Sequence, residues 1–270
     1  MRNTRAYDIF GNIALVKFDR TMSAAGKKKF SDKIMRNNNA IKTVLEKTGK
    51  FKGRLRKQET RWIAGEKTKE VLYRENGCVF RFNIDDVYFS PRLGNERKEI
   101  ASLIKRGNVF VMFAGAAPYS IVIAKNSKID KVYSNEIDKN ANKYAEMNIE
   151  LNKVKGKVIM LNGNIQDIAT KVKRGLRINN ELVPKLFDYI IMPRPQLKDS
   201  FLKQVFMLSK KGTVVFYYDF CKIDEKEIII DKIKKEFALA KKEIKILKVK
   251  AAGEIAPYKI RIRIDFKILN

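Results

Sequence analysis

Histidine is absent from all 270 residues, and its absence excludes imidazole general bases, histidine-based triads and histidine-ligated metals together. Any acid-base work falls to Glu, Asp, Lys or Tyr. Cysteine is almost as scarce. Cys78 and Cys221 lie far apart in sequence, so neither a disulfide framework nor a zinc cluster is available, and a reducing compartment fits. No run approaches the roughly 18 apolar residues that span a bilayer. The opening Met1-Arg2-Asn3-Thr4-Arg5 leads into no apolar signal core, so the expectation is a cytoplasmic protein with no membrane contact. Internal repeats and low-complexity linkers are also missing.

Acidic residues are few. Thirty stand against 58 Lys and Arg, a formal net charge of +28, and the expected partner is a polyanion. The basic residues are spread over the stretches 26–33, 47–57, 171–177 and 232–250, so the folded body itself carries the field, which favours nucleic acid over a tethered membrane contact. An AT-rich genome can inflate lysine, but the acidic residues are not inflated to match.

With 45% hydrophobic residues the chain is long enough for one large or two small domains. Residues 13–18 alternate as a β-strand, and the Lys-rich segment after them reads as a basic helix. Between 40 and 90, short apolar runs such as 71–73 and 79–84 are punctuated by Gly65, Asn76 and Gly77, which predicts hairpin strands in a small α+β domain ending near residue 87. From 88 to 270 the rhythm changes. A helix is expected over 96–106, stopped by Gly107-Asn108. Strands are expected at 109–113, 131–134, 157–161 and 189–192, with helices between them. This βαβ alternation calls for an α/β fold with a parallel sheet covered on both faces. A helix at 201–208, a strand at 212–218, an amphipathic helix at 226–241 and two β-like runs at 244–249 and 258–268 complete the chain.

In such sheets ligands bind at the carboxyl ends of strands. After the first parallel strand the sequence reads VMFAGAAPYS (111–120), where small residues allow close backbone approach and a helix N-terminus offers free N–H groups. After the second comes Glu136, placed to accept from a ribose.

The segments YDIFGNIALV (7–16), KTVLEK (42–47), AGE (64–66), RENGCVFRF (74–82), YFSPRL (88–93), MFAG (112–115) and ELNKV (150–154) resemble, in order and spacing, the archaeal and eukaryotic tRNA (guanine-37 N1) methyltransferase family. The resemblance runs to APYKIRIRIDFKI (256–268), and YFSPRL followed three residues later by Glu96 is its most specific signature. It implies a Rossmann-like, S-adenosylmethionine-dependent class I methyltransferase domain over 88–270, preceded by a small α+β domain over 1–87 that contributes to tRNA and target-base binding. The implied reaction is methylation of N1 of guanosine 37 in tRNA, without a metal, by a monomer.

Carried over position by position, Glu96 matches the base that takes the N1 proton and Arg56, in GRLRK (53–57), matches the arginine on the target guanine. Tyr88, Phe113, Gly115, Glu136, Asp138 and Pro195 match cofactor contacts, with Tyr88 and Phe113 against the adenosine or methionine portion and Glu136 on the ribose. The chemistry is coherent: guanine N1 loses a proton as it attacks a sulfonium methyl, so a carboxylate base and a cation near O6 lower the barrier.

The chain also departs from the family. Val111 stands where relatives usually carry Asp, Ala116 or Ala117 where they carry Gly, and Asn164 where an acidic residue is frequent. Asp138 replaces the Asn of an Asn-Pro pair, and Pro193-Arg194-Pro195 replaces Asn-Leu-Pro, which removes a side-chain donor. An N-terminal tRNA-elbow domain is expected to be absent. A second reading therefore stays open: a tRNA-binding paralogue or partner subunit without efficient catalysis, or a wyosine-pathway transferase. Neither Glu96 nor Arg56 has an evident structural duty in the sequence, which favours the enzyme over a surface ion pair.

Overall fold

The computed structural model describes residues 7–49 and 57–270. The chain opens with strands β1 (Tyr7–Phe10) and β2 (Ile13–Val16), helix α1 (Ala24–Asn37), and strands β3 (Thr43–Lys47) and β4 (Thr60–Gly65). They form a four-stranded sheet in the order β1-β2-β3-β4, in which only β2 and β3 run parallel. A parallel pair needs a crossover, and the basic helix α1 supplies it. Ser23 caps that helix by accepting from the Gly26 N–H, and Ile34 buries against Ala14, Val16 and Val44.

Strands β5 (Glu70–Glu75) and β6 (Cys78–Asn83) then form the expected hairpin. Its two-residue turn is Asn76-Gly77, with φ of 50° and 72°, the left-handed pair that matches the twist of hairpin strands. A 3-10 turn at Pro91–Leu93 leads into helix α2 (Gly94–Leu103). This helix ends before the expected Gly107-Asn108 stop, because Ile104 turns extended to bring the chain into the sheet. Gly107 and Asn108 instead form a turn held by Asp188, whose carboxylate accepts from the Asn108 N–H at 2.8 Å.

The remaining elements are β7 (Val109–Val111), α3 (Pro118–Asn126), β8 (Val132–Glu136), α4 (Lys139–Leu151), β9 (Val158–Asn162), α5 (Ile165–Lys173), the short pair β10 (Arg177–Ile178) and β11 (Glu181–Leu182), β12 (Phe187–Met192), α6 (Leu202–Leu208), β13 (Ser209–Lys222), α7 (Lys226–Leu239), β14 (Ile244–Ala256) and β15 (Lys259–Ile268). Seven strands make one sheet in the order β14-β15-β13-β12-β7-β8-β9. The five from β13 to β9 are parallel, and β15 and β14 add antiparallel. The expected Rossmann-like α/β architecture is observed. Strand β13 is longer than the sequence suggested, because β15 pairs with it as far as Lys222.

Alternation along the strands divides the interior into two layers. Val109, Val111, Val132 and Ile191 face α2, α3 and α4. Phe110, Met112, Ile190 and Met192 face α5, α6 and α7. Among the described residues no helix is long and apolar enough to cross a membrane.

Hairpin β5–β6 is fastened to the first layer by two buried asparagines of α4 and its C-cap. Asn148 accepts from the Arg81 N–H at 2.7 Å and donates to the Arg81 carbonyl at 3.1 Å, while Asn152 makes the same pair of bonds to Val79 at 2.8 and 2.6 Å. The helix thus imitates a neighbouring strand. Asn148 also donates to the Ala116 carbonyl at 3.2 Å, which ties the hairpin to the loop after β7. Asn148→Ala leaves buried peptide groups unpaired on both, and is expected to destabilise the fold by roughly 2–3 kcal/mol in urea unfolding. A change below about 0.5 kcal/mol would show that these bonds are replaced by water.

Candidate active site

The chain winds outward from β7 through β8 to β9, then returns to β12 on the other side of β7. This reversal opens a crevice at the carboxyl ends of β7, β8 and β12, the favoured ligand position in open parallel sheets. A cavity lies there. Tyr88, Phe113, Gly115, Glu136, Asp138 and Pro195 all line it, so the structure brings together the six residues to which the sequence pointed as cofactor contacts.

The loop after β7 is wound tightly. Phe113, Gly115 and Ala117 all adopt left-handed φ values of 56°, 57° and 63°, a conformation that costs non-glycine residues about 1–2 kcal/mol each. Glu136 holds the loop in that shape. One of its carboxylate oxygens accepts from the Gly115 N–H at 2.7 Å, and the other accepts from the Ile137 and Asp138 N–H groups at 2.7 and 2.8 Å. Burial raises the pKa of this carboxyl, and the three N–H bonds oppose the rise. With three of about four acceptor positions used, the oxygen facing Gly115 keeps capacity for one hydroxyl. Asp138 supplies the N-cap of α4, accepting from the Asn140 N–H at 2.9 Å, a local role that the sequence reading did not assign. Phe113, Ile137 and Ile165 give the cavity apolar walls, suited to a planar base.

Glu96 sits one layer behind this cavity. Its side chain is buried on α2, where it accepts from the Tyr218 hydroxyl at 3.0 Å and from Arg263 at 2.8 Å, and pairs with Lys250 at 2.5 Å. Tyr218 does line the cavity, so one hydroxyl separates the carboxylate from it. Desolvation raises the Tyr218 pKa well above its ordinary value, which keeps that hydroxyl protonated. Arg263, fully buried, also donates to Glu99 at 2.7 Å and to Asp265 at 2.8 and 3.1 Å. Glu96 therefore has a structural duty that the sequence did not reveal, and its ion pairing is internal rather than on the surface. Arg56 lies outside the described residues.

The loop after β12 is built around Arg194. Pro193 and Pro195 line the cavity, while the buried Arg194 guanidinium pairs with Asp219 and donates to the carbonyls of Leu197 and Asp199 at 2.5 and 2.8 Å. Asp219 also accepts from Tyr217 at 2.9 Å. Sequence reasoning missed these roles of Arg194 and Tyr218 because their partners, Asp219 on β13 and Glu96 on α2, come within reach only in the folded chain.

Comparison with known proteins adds the following. Residues 71–249 match the TRM5/TYW2 methyltransferase domain, and residues 2–68 match the TYW2 N-terminal domain. A tRNA (guanine(37)-N(1))/4-demethylwyosine(37)-methyltransferase Taw22 of Nanoarchaeum equitans is 32% identical over 98% of this chain and 100% of its own length. The crystal structure of Trm5b from Pyrococcus abyssi superposes with a TM-score of 0.83 at 30% identity, covering 98% of this chain and 75% of that one. A structure described as the complex of aTrm5 and tRNALeu superposes at 0.80 with 26% identity, over 98% of this chain and 72% of that one.

Two outcomes follow from these ion pairs. Arg194→Ala strands the Asp219 carboxylate and is expected to cost about 3–5 kcal/mol in urea unfolding, and Arg194→Ala with Asp219→Ala should recover part of that loss. Losses that simply add would show that the pair is not coupled. The second concerns acid. Burial works to raise the Glu99 carboxyl, but hydrogen bonds from Arg263, Lys250 and Lys248 outweigh it and hold the group well below the usual carboxylate range. A depressed folded-state pKa gives stability that is complete above the unfolded value of about 4.3 and is lost as pH falls below it. Glu99→Gln should therefore flatten the decline of the urea midpoint between about pH 5 and pH 2; an unaltered slope there would contradict the pairing.

Proposed function

This chain belongs to the TRM5/TYW2 methyltransferase family, and from that premise we propose that it transfers the methyl group of S-adenosylmethionine to N1 of guanosine 37 in tRNA. One observation carries the reading: the cavity at the sheet's switch point joins a nucleoside cradle, Glu136 with the Gly115 loop, to a buried carboxylate, Glu96, through the Tyr218 hydroxyl. The residues fit the cofactor. Glu136 retains an acceptor for a ribose hydroxyl, Asp138 stands beside it, and Tyr88, Phe113 and Pro195 wall the space around an adenosine and a methionine tail. When bound, the cofactor supplies a methyl group on a sulfonium, which is electrophilic without help from a metal.

The protein's task is then to remove the N1 proton and to exclude water. Tyr218 accepts that proton on its oxygen as it passes its own to Glu96, so the phenol stays neutral and the carboxylate receives the net charge change. Arg263 shares with Tyr218 the same carboxylate oxygen and Lys250 holds the other, so the group is fixed in place. The small N-terminal domain and the net charge of +28 serve the tRNA, by contacts that weaken steeply with salt. Arg56 is proposed, from the family resemblance, as a contact of the target guanine.

One observation favours a second acceptor at the same position. The Nanoarchaeum relative that carries both the guanosine and the 4-demethylwyosine activity in its name is covered over its whole length, so tRNA bearing 4-demethylwyosine 37 is a further substrate to try.

Incubation with labelled S-adenosylmethionine and unmodified tRNA is expected to give 1-methylguanosine at position 37, and none when adenosine replaces that guanosine. Failure to label guanosine 37 would overturn the reading, and undetectable cofactor affinity by calorimetry would leave a tRNA-binding protein in its place. Glu96→Gln and Tyr218→Phe are each expected to lower turnover by about 100-fold or more with little change in tRNA affinity. Full activity in Tyr218→Phe would show that the proton does not pass through this hydroxyl.

A further inference from the structure

Two buried side chains that line the strand-end cavity carry a polar atom with no hydrogen-bond partner among the described residues, Arg194 at Nε and Tyr119 at its hydroxyl. Arg194 has its other nitrogens on Asp219 and two carbonyls. Tyr119 has only the one oxygen. The residue is 4% exposed, and a phenol withdrawn from water without a hydrogen bond lowers stability. Its packing is done by the ring, edge-on to Tyr218 with 6.0 Å between centroids and 5.8 Å from the Arg97 guanidinium. A phenylalanine would keep both contacts without burying an unpaired hydroxyl.

The surroundings of that oxygen indicate its use. Tyr119 is the second residue of α3, directly after Pro118, and so follows the loop that Glu136 holds. Against it stands Tyr218, whose own proton is given to Glu96 at 3.0 Å. The two hydroxyls act on each other. Burial is the chief reason that both pKa values are raised; the Tyr119 oxygen adds to the rise at Tyr218, while the Arg97 charge and the Tyr218 hydroxyl oppose it at Tyr119. Tyr119 therefore keeps its proton at neutral pH and can donate it, and the Tyr218 oxygen can accept.

We propose that Tyr119 is a positioning residue of the proton relay: with tRNA and cofactor in place its hydroxyl donates to the Tyr218 oxygen, steering the Tyr218 proton to Glu96 and supporting the transient negative charge on that oxygen. This rests on guanosine 37 as the acceptor and on Tyr218 as the group that takes its proton. The N1 proton goes to the Tyr218 oxygen and the Tyr218 proton goes to Glu96, while Tyr119 keeps its own. Phenolate character on Tyr218 is costly in a buried site beside a carboxylate, and a donor fixed where charge develops offsets that cost.

The test combines single-turnover methylation of guanosine-37 tRNA, cofactor affinity by calorimetry and urea unfolding of the free protein, for wild type, Tyr119→Phe, Tyr218→Phe and the double variant. Tyr119→Phe is expected to slow methylation at saturating tRNA and cofactor by about 10-fold. The half-saturating tRNA concentration and the cofactor affinity should be unchanged. Its urea midpoint should rise, because an unpaired buried hydroxyl is removed. In the Tyr218→Phe background the same substitution should slow the reaction no further, since Tyr119 acts only through Tyr218. An unchanged rate in Tyr119→Phe overturns the inference, as do losses that multiply in the double variant. Weakened cofactor binding also overturns it, by placing the hydroxyl on the cofactor. A lowered urea midpoint removes the premise, because the hydroxyl would then have a partner in the free protein. Wild-type inactivity on guanosine 37, or full activity of Tyr218→Phe, overturns instead the reading on which the inference rests, and this inference with it.

Discussion

The hydrogen bond from Tyr218 to Glu96, whose carboxylate is also held by Arg263 on the same oxygen and by Lys250 on the other, joins parts of the chain that are far apart in sequence. Glu96 comes from α2, Tyr218 from β13, Lys250 from β14 and Arg263 from β15. Three carboxylates, Glu96, Glu99 and Asp265, face three cations, Arg263, Lys250 and Lys248. Its inner members, Arg263, Glu96 and Asp265, are tolerable away from water only because each has its partners, while Lys248, Lys250 and Glu99 reach toward solvent. The cluster fixes α2 against the antiparallel end of the sheet, and so fixes where the segment from Tyr88 to Leu93 runs. That segment forms part of the wall between the cofactor cavity and the groove beside it.

The other half of the site depends on a different carboxylate. Glu136 takes three backbone N–H groups and holds a loop whose left-handed residues would otherwise relax. Val111, where relatives usually carry an acid, is fully buried in the first apolar layer. The acid on the strand next to it, at the end of β8, is therefore the one that shapes the turn. Asn148 completes this arrangement from α4 by binding the Ala116 carbonyl and the hairpin together, so that the cradle and the β5–β6 hairpin share one helix.

Arginine serves three purposes in this fold. Arg194 gathers the carbonyls of the loop after β12, and Arg263 balances carboxylates inside the domain. Arg261, two residues before Arg263 on the same strand face, donates instead to the Tyr88 hydroxyl at 3.2 Å and forms no ion pair with a described residue.

The α/β architecture, the order of its elements, the Asn76-Gly77 hairpin and the cavity residues after β7, β8 and β12 were legible in the sequence. Each depends on short-range patterns: the two- and three-to-four-residue periodicities, the turn-forming pairs, and the fact that a residue just past a parallel strand lies at the sheet's carboxyl edge. What the sequence left undecided was which polar side chains lie inside. The run from Lys259 to Ile268 alternates apolar and polar residues, as a half-exposed strand would, yet α2 and Tyr88 contact its polar face, where Arg261, Arg263 and Asp265 are buried. Asn148, Arg194 and Tyr218 became legible in the same way, because burial depends on the element that folds over a residue, and that element comes from elsewhere in the chain.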